Sequence, residues 1–346
     1  MLAELIWWWK LPEARKIKIL FVYSHLQSFV RSDLEILQSY FGVKKLRITT
    51  FKNPLNMFRL LFGMANVHLI YTWFAGTNAF FIVLFSIFLR KRSVVVVGGY
   101  DAAYLPEINY GIFVNRWRRV LVRFVYKHAD LILVVDPSLK RELLENTKLK
   151  IEDRIRVVPT GYDYNFWRPG SKKEDIILTV GNKPLVKGLD TFCQLAKELP
   201  EKEFIAIGFE GKLDEYMTDN IKLIPFIPQN QLLKFYQKAK IFCLFSRHEG
   251  LPNVLCEAML CECVPIGTKV NGIITAIGDA GFLVNRDIKE IKDAVKKAMV
   301  FDEKKCRERI KRLFPLEKRR KELVYYINAL FKNNIFDTLP EQNALD

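Results

Sequence analysis

The chain of 346 residues lacks any apolar run long enough to cross a bilayer as a helix. Its longest, Ala79 to Leu89, has 11 residues and stops at Arg90-Lys91-Arg92, where a spanning helix needs about 20. That run reads either as a buried helix of a layered domain or as a helix resting on a bilayer surface. A secretory leader is not expected either, because Glu4 stands where such a segment carries Lys or Arg. Trp7-Trp8-Trp9 with Lys10 suits a membrane interface, or simply packing on the domain. The six cysteines all lie in the second half and lack Cys-x-x-Cys spacing, which excludes a disulfide framework. Cys256, Cys261 and Cys263 cluster with only His248 nearby; they read as packing thiols of a reducing cytosol rather than zinc ligands. No short-period repeat, helix-turn-helix, zinc finger or RNA-binding signature is present.

What the chain does have is positive charge, 54 Lys and Arg against 38 Asp and Glu, for a net +16. Half of it is hydrophobic and 27% charged, which excludes a disordered protein, since enough apolar surface exists to offset the entropy of ordering. Residues 1–165 hold 24 basic and 13 acidic side chains, a surplus of +11; the remainder hold 30 and 25, a surplus of +5. A basic half suggests an anionic partner: nucleic acid, anionic lipid or a phosphorylated substrate.

Short β-branched runs alternate with helical patterns along the first half. Lys16–Tyr23, Lys44–Thr49, Val67–Tyr71, Ser93–Val97, Leu131–Val135 and Ile155–Val158 read as strands, with a helix near 111–128 among those between them. The second half repeats the scheme through Ile176–Val180, Glu203–Ile207, Ile221–Ile224, Ile241–Phe245, Val264–Ile266 and Gly281–Val284. Alternation of this kind with near-continuous apolar strands predicts parallel sheets covered on both faces. The turn-rich segment Val158 to Gly170 marks a boundary. The expected domains are residues 1–165, 166–314, and a C-terminal helix with tail over 315–346. Two doubly wound α/β domains in series create a cleft where ligands bind at strand carboxyl ends.

The most informative stretch is Ser246-Arg-His-Glu-Gly-Leu-Pro-Asn-Val-Leu-Cys-Glu-Ala-Met259. A strand ends, a loop carries Glu249 and Gly250, and a helix starts near Pro252, a residue suited to the first helical position. Free N–H groups of that first turn, from Asn253 and Val254, together with the helix dipole make an anion site fit for a diphosphate. Gly250 lets the backbone come close to a ligand. Glu257 follows Asn253 by four residues on the same face. Two carboxylates then flank a phosphate site, suited to accepting hydrogen bonds from hydroxyls on both sides of a diphosphate, which is the chemistry of a nucleotide sugar.

Glu249 and Glu257, seven residues between them, resemble the Glu-x-seven-Glu signature of retaining glycosyltransferases of family four, whose GT-B fold has two Rossmann-like domains facing each other across a cleft. Further landmarks fall in order: Val157-Val-Pro-Thr-Gly-Tyr-Asp163, Thr179-Val-Gly181, Lys187-Gly188, Ile224-Pro-Phe226 and Gly281-Phe-Leu-Val284. The resemblance implies that Lys187 neutralises a donor diphosphate, with Lys183 and Gly181 beside it. It implies that Glu257 holds ribose hydroxyls, that Glu249 contacts the donor sugar with Gly250 and Leu251, and that the segment containing Phe226 meets the nucleobase. The donor is then a UDP- or GDP-linked sugar acting as co-substrate, with no resident cofactor and no metal; the chain has no Asp-x-Asp to hold one. Read without the resemblance, Lys187 is a surface lysine and the two glutamates are solvated carboxylates.

Departures from the pattern lie at Asn182, where the family usually has Arg, at Val270 to Thr275, and at Ser24 to Phe29. After the fourth strand stands Gly98-Gly99-Tyr100-Asp101 in place of a His motif. Asp101 either orients an acceptor hydroxyl as a catalytic residue or caps a turn; His25 reads as structural. Arg116, Arg119, Arg123 and Lys127 recur at three- and four-residue spacing beside Trp117 and Phe124, a basic stripe that either resembles helices lying on anionic membranes or is a solvated helix face. The expectation is a hexosyltransferase at the cytoplasmic face of the membrane, acting on a glycan or lipid-linked acceptor and not on nucleic acid. The alternatives are an epimerase of the same fold or a basic nucleic-acid-binding protein.

Overall fold

The computed structural model describes residues 17–211 and 218–332. The Trp7–Trp9 segment and the tail from Asn333 lie outside the described residues. Two compact units divide the chain: residues up to Pro159 with those from Glu317 onward, and Thr160–Leu316 between them.

The first unit is a six-stranded parallel sheet. Its elements run β1 (Lys18–Tyr23), α1 (Ser28–Tyr40), β2 (Gly42–Arg47), α2 (Leu55–Met64), β3 (Leu69–Trp73), α3 (Thr77–Phe88), β4 (Arg92–Val97), α4 (Arg116–His128), β5 (Leu131–Val134), α5 (Pro137–Thr147) and β6 (Ile155–Val157). The strand order is β2-β1-β3-β4-β5-β6, parallel throughout. Central strands are buried on both faces, as in Val94–Val97, which is why they read as unbroken apolar runs rather than alternations. The stretch read as one helix over 111–128 is a 3₁₀ turn at Ile112–Val114 followed by α4. The break has a local cause: the Asn115 side chain accepts from the N–H groups of Trp117 and Arg118 at 3.1 Å, capping a new helix.

The second unit runs β7 (Glu174–Val180), α6 (Pro184–Lys187), α7 (Leu189–Glu198), β8 (Glu203–Ile207), β9 (Ile221–Ile224), α8 (Gln229–Lys238), β10 (Ala239–Leu244), α9 (Asn253–Leu260), β11 (Val264–Thr268), α10 (Asn271–Ile277), β12 (Phe282–Val284), α11 (Ile288–Met299) and α12 (Lys304–Leu313). Its sheet is also six-stranded and parallel, in the order β12-β11-β10-β7-β8-β9. The two sheets are therefore not copies of one another. The first reverses direction between β1 and β3, the second between β7 and β10. A last helix, α13 (Leu316–Ala329), belongs from Glu317 onward to the first unit. All six cysteines are buried. Among the described residues no helix is long and apolar enough to cross a membrane.

Candidate functional site

The carboxyl ends of β7 and β10 meet at the switch point of the second sheet, where doubly wound folds place their ligands. The chain leaves β7 through Gly181 into the short α6 and then turns at Gly188, whose φ is +71°. A Cβ at Gly188 would lie 2.1 Å from the carbonyl oxygen of Phe245, so glycine is required for this approach. The close packing brings Lys187 to the loop that follows β10. Lys187 Nζ lies 2.7 Å from Glu249 Oε1, and Ser246 Oγ donates to the same oxygen at 2.6 Å. Ser246 is held in turn by Thr268 Oγ1, which donates to its carbonyl at 2.6 Å. On the other side Gly272 backs onto the loop; a Cβ there would stand 1.9 Å from the Gly250 carbonyl oxygen. Glu249, Gly250 and Leu251 are all buried.

The helix after this loop begins one residue later than its sequence suggests. Pro252 is the cap, with extended backbone, and α9 starts at Asn253. The N–H groups of Leu255 and Cys256 both bond the Pro252 carbonyl at 3.2 Å, which leaves those of Asn253 and Val254 outside the helix ladder. The Asn253 side chain accepts from Tyr162 Oη at 2.9 Å, and Tyr162 is linked to Thr160 Oγ1 at 2.9 Å. One turn on, Glu257 is buried against α8, with Gln229 Nε2 and Tyr236 Oη each 3.5 Å from its oxygens. Burial pushes its carboxyl up to about 8, and donation from Gln229 and Tyr236 offsets this only in part. Burial thus favours the protonated form of Glu257.

Lys183 stands at the start of α6 without capping it through its side chain; burial, and then the charge of Lys187, lower its pKa. The two ammoniums concentrate positive potential at the end of β7. Phe226 sits two residues past β9, the edge strand of the sheet, and is 78% exposed. The structure thus gathers Lys187, Glu249, Gly250 and Leu251 around one loop, with Asn253, Val254 and Glu257 on the next helix. Sequence reading did not single out Ser246, Tyr162, Thr268 or Gly272, although Ser246 and Tyr162 lie inside the motifs it quoted.

Of the two readings of Asp101, the structure holds the turn-capping one. Its Oδ1 accepts from the N–H groups of Gly98 and Gly99 and its Oδ2 from that of Ala75, all at 3.0 Å. The carboxylate stitches the end of β3 to the end of β4. Burial raises its pKa to about 6 against these three donors. The basic stripe on α4 is also rearranged. Arg119 donates twice to the Phe113 carbonyl, at 3.1 and 2.7 Å, and stacks 5.2 Å from the Tyr104 ring; Arg123 bonds the Thr147 carbonyl. A spacing of three and four marks one helix face but not whether protein or water lies over it, and here protein covers half of the stripe.

Residues 163–313 match the family described as "Glycosyl transferases group 1". The chain is 29% identical over 236 residues to a Campylobacter jejuni enzyme, the GalNAc-alpha-(1->4)-GalNAc-alpha-(1->3)-diNAcBac-PP-undecaprenol alpha-1,4-N-acetyl-D-galactosaminyltransferase, covering 64% of this chain and 62% of that one. The matches span 36% and 45% of the next two curated relatives, so the chain covers less than two thirds of their length. Among solved structures, sucrose-phosphate synthase of Thermosynechococcus elongatus superposes with a TM-score of 0.75 at 16% identity, covering 91% of this chain and 99% of that one. Anabaena HepE in complex with UDP and glucose superposes with a TM-score of 0.74 at 14% identity, over 90% and 99%. Two Rossmann-like units of this kind define the GT-B fold. Residues 163–313 are thus similar to the group 1 glycosyltransferases, and the described chain shares the fold of these solved structures.

Proposed function

We propose that the chain transfers a sugar from a UDP- or GDP-linked donor to a hydroxyl of a glycan or lipid-linked acceptor, with retention at the anomeric carbon and without a metal. The observation that carries this reading is the Lys187–Glu249–Ser246 cluster at the switch point of the second sheet. With donor bound, Lys187 leaves Glu249 for the diphosphate, a point-charge task suited to an ammonium. Glu249, still fixed by Ser246, accepts from a sugar hydroxyl. The N–H groups of Asn253 and Val254 add electrostatic stabilisation to the charge that develops on the leaving diphosphate. Glu257 ionises to accept from the ribose. The acceptor oxygen bonds to the anomeric carbon as the bond to the diphosphate breaks, and the departing phosphate oxygen takes the acceptor's proton on the same face of the sugar. No protein base is then needed, in keeping with the engagement of Asp101 by backbone.

The UDP in the HepE complex supports a uridine donor, and the undecaprenol-linked substrate in the name of the Campylobacter relative supports a lipid-linked acceptor at a membrane surface. The reading is tested by a thermal-shift screen of nucleotide sugars, since a bound ligand raises stability by mass action. A donor that stabilises the native chain and not Lys187→Ala supports it, as does a product with the donor's anomeric configuration. Equal stabilisation of both proteins by every nucleotide sugar would remove it.

A further inference from the structure

Helices α2, α3 and α4 follow successive crossovers on one face of the first sheet, and α3 packs against both of the others. The rings of Phe80 and Phe124 meet at 5.1 Å between α3 and α4. Apolar side chains on this layer face outward. Phe58 and Phe62 on α2 are 68% and 86% exposed, Phe88 at the end of α3 is 74% exposed, and Trp117 on α4 is 83% exposed. Helix α3 carries no charge anywhere along its length and only three polar side chains, Thr77, Asn78 and Ser86, whereas a surface helix ordinarily shows water a polar face.

The charge carried by these three helices is of one sign. Residues 36–100 contain eight Lys and Arg and no Asp or Glu, and residues 108–129 contain five and none. Lys52, Arg59 and Arg90 are exposed beside the aromatics. An anionic lipid surface offers negative headgroups above an apolar layer, complementary to both the basic and the aromatic side chains. Aromatic rings at headgroup depth with basic residues around them fit this arrangement.

We infer that the outward layer of α2, α3 and α4 is a docking surface for an anionic bilayer, with Phe58, Phe62 and Phe88 entering the headgroup region. The inference rests on the lipid-linked acceptor reading for its purpose, but its geometry is independent of the donor site. Within α4, Arg119 and Arg123 bond to protein carbonyls, so the remaining basic residues and the exposed aromatics carry the contact.

Co-sedimentation with phosphatidylcholine vesicles, with and without phosphatidylglycerol, tests it. The chain is expected to bind the anionic vesicles. Binding should weaken as added salt shortens the screening length from about 10 Å at 0.1 M to about 3 Å at 1 M. A combined Phe58→Ser, Phe62→Ser and Phe88→Ser variant, and separately Arg59→Glu with Arg90→Glu, should each lose about tenfold or more in partition, with thermal unfolding unchanged because all five side chains are exposed. Equal binding to neutral vesicles, or full binding by either variant, would overturn the assignment. So would a dimer of the native chain that the aromatic variant dissolves, which would give the face to a second copy. Vesicle binding is read without donor or acceptor, so a failure of sugar transfer leaves its outcome standing.

Discussion

Arg319 on α13 grips Asp33 on α1 from 286 positions away in sequence, Nε to Oδ1 at 2.5 Å and Nη2 to Oδ2 at 2.7 Å. The pair is fully buried. Asp33 Oδ2 also accepts from Tyr71 Oη at 2.6 Å and Trp73 Nε1 at 2.8 Å, and Arg319 Nη1 donates to the carbonyls of Val158 and Pro159. Burial disfavours the charged guanidinium, but Asp33 outweighs it and the Arg319 pKa is raised. Removing one partner leaves an uncompensated buried charge. Arg319→Met should cost about 3–5 kcal/mol, read as a lower denaturant midpoint at constant slope. Adding Asp33→Leu should recover part of the loss, and a double variant as unstable as the sum of the singles would contradict this account.

At the proposed donor site, Lys187→Ala should raise the Kd for a nucleotide sugar about 10- to 100-fold, the range expected when a hydrogen bond to a charged group worth about 1.5–3 kcal/mol is removed. The same change leaves Glu249 buried with Ser246 and destabilises the free protein. Calorimetric titration and thermal unfolding, run together, separate the two effects, and an unchanged Kd would discard Lys187 as a diphosphate ligand.

Ser246→Ala removes the hydroxyl that orients Glu249 while leaving Lys187 in place. We expect kcat/KM to fall by about tenfold, corresponding to a net hydrogen bond of about 1–1.5 kcal/mol, with little change in diphosphate affinity. A parallel loss in UDP or GDP binding would show that Ser246 acts on the loop as a whole.

Glu257 predicts a pH dependence. Its folded pKa of about 8 lies above the ordinary carboxylate value, so the folded state binds more protons than the unfolded one between roughly pH 4.5 and 8. The stability it contributes is complete below that window and is lost as pH rises through it, by at most about 1.4 kcal/mol per pH unit. Glu257→Gln should flatten this fall in thermal unfolding between pH 5 and 8. Because ribose hydroxyls donate to the ionised form, nucleotide-sugar affinity of the native chain should strengthen as pH passes 8, a trend absent from the Gln variant.

Asp101→Asn places an amide among three backbone donors and should destabilise the first unit by about 1–3 kcal/mol, while kcat for the folded fraction stays near the native value. A kcat reduced by orders of magnitude in a variant that still folds would restore Asp101 as an acceptor-binding group.

Much of the architecture was legible because strands buried on both faces must be apolar throughout, as Val94–Val97 and Ile241–Leu244 are. The loop after β10 was legible for a related reason: Gly188 and Glu249 sit where backbone approach and charge leave few residue choices. Strand order was not, since apolar runs carry no record of which strand neighbours which, and the switch points emerged only from the pairing. Pro252 shifted by one because proline fits a helix cap as well as the first turn. The Asp33–Arg319 pair left no local signal, because each residue alone reads as an ordinary surface charge on an amphipathic helix.

That pair also sets an order of events during synthesis. The chain emerges amino terminus first, and the whole of the second unit, Thr160–Leu316, is made between Asp33 and Arg319. Until the ribosome has released α13, the first sheet carries a buried carboxylate without its counter-ion. The unit that begins first is therefore completed last, and the central unit, whose segments are contiguous, is free to fold while its neighbour waits.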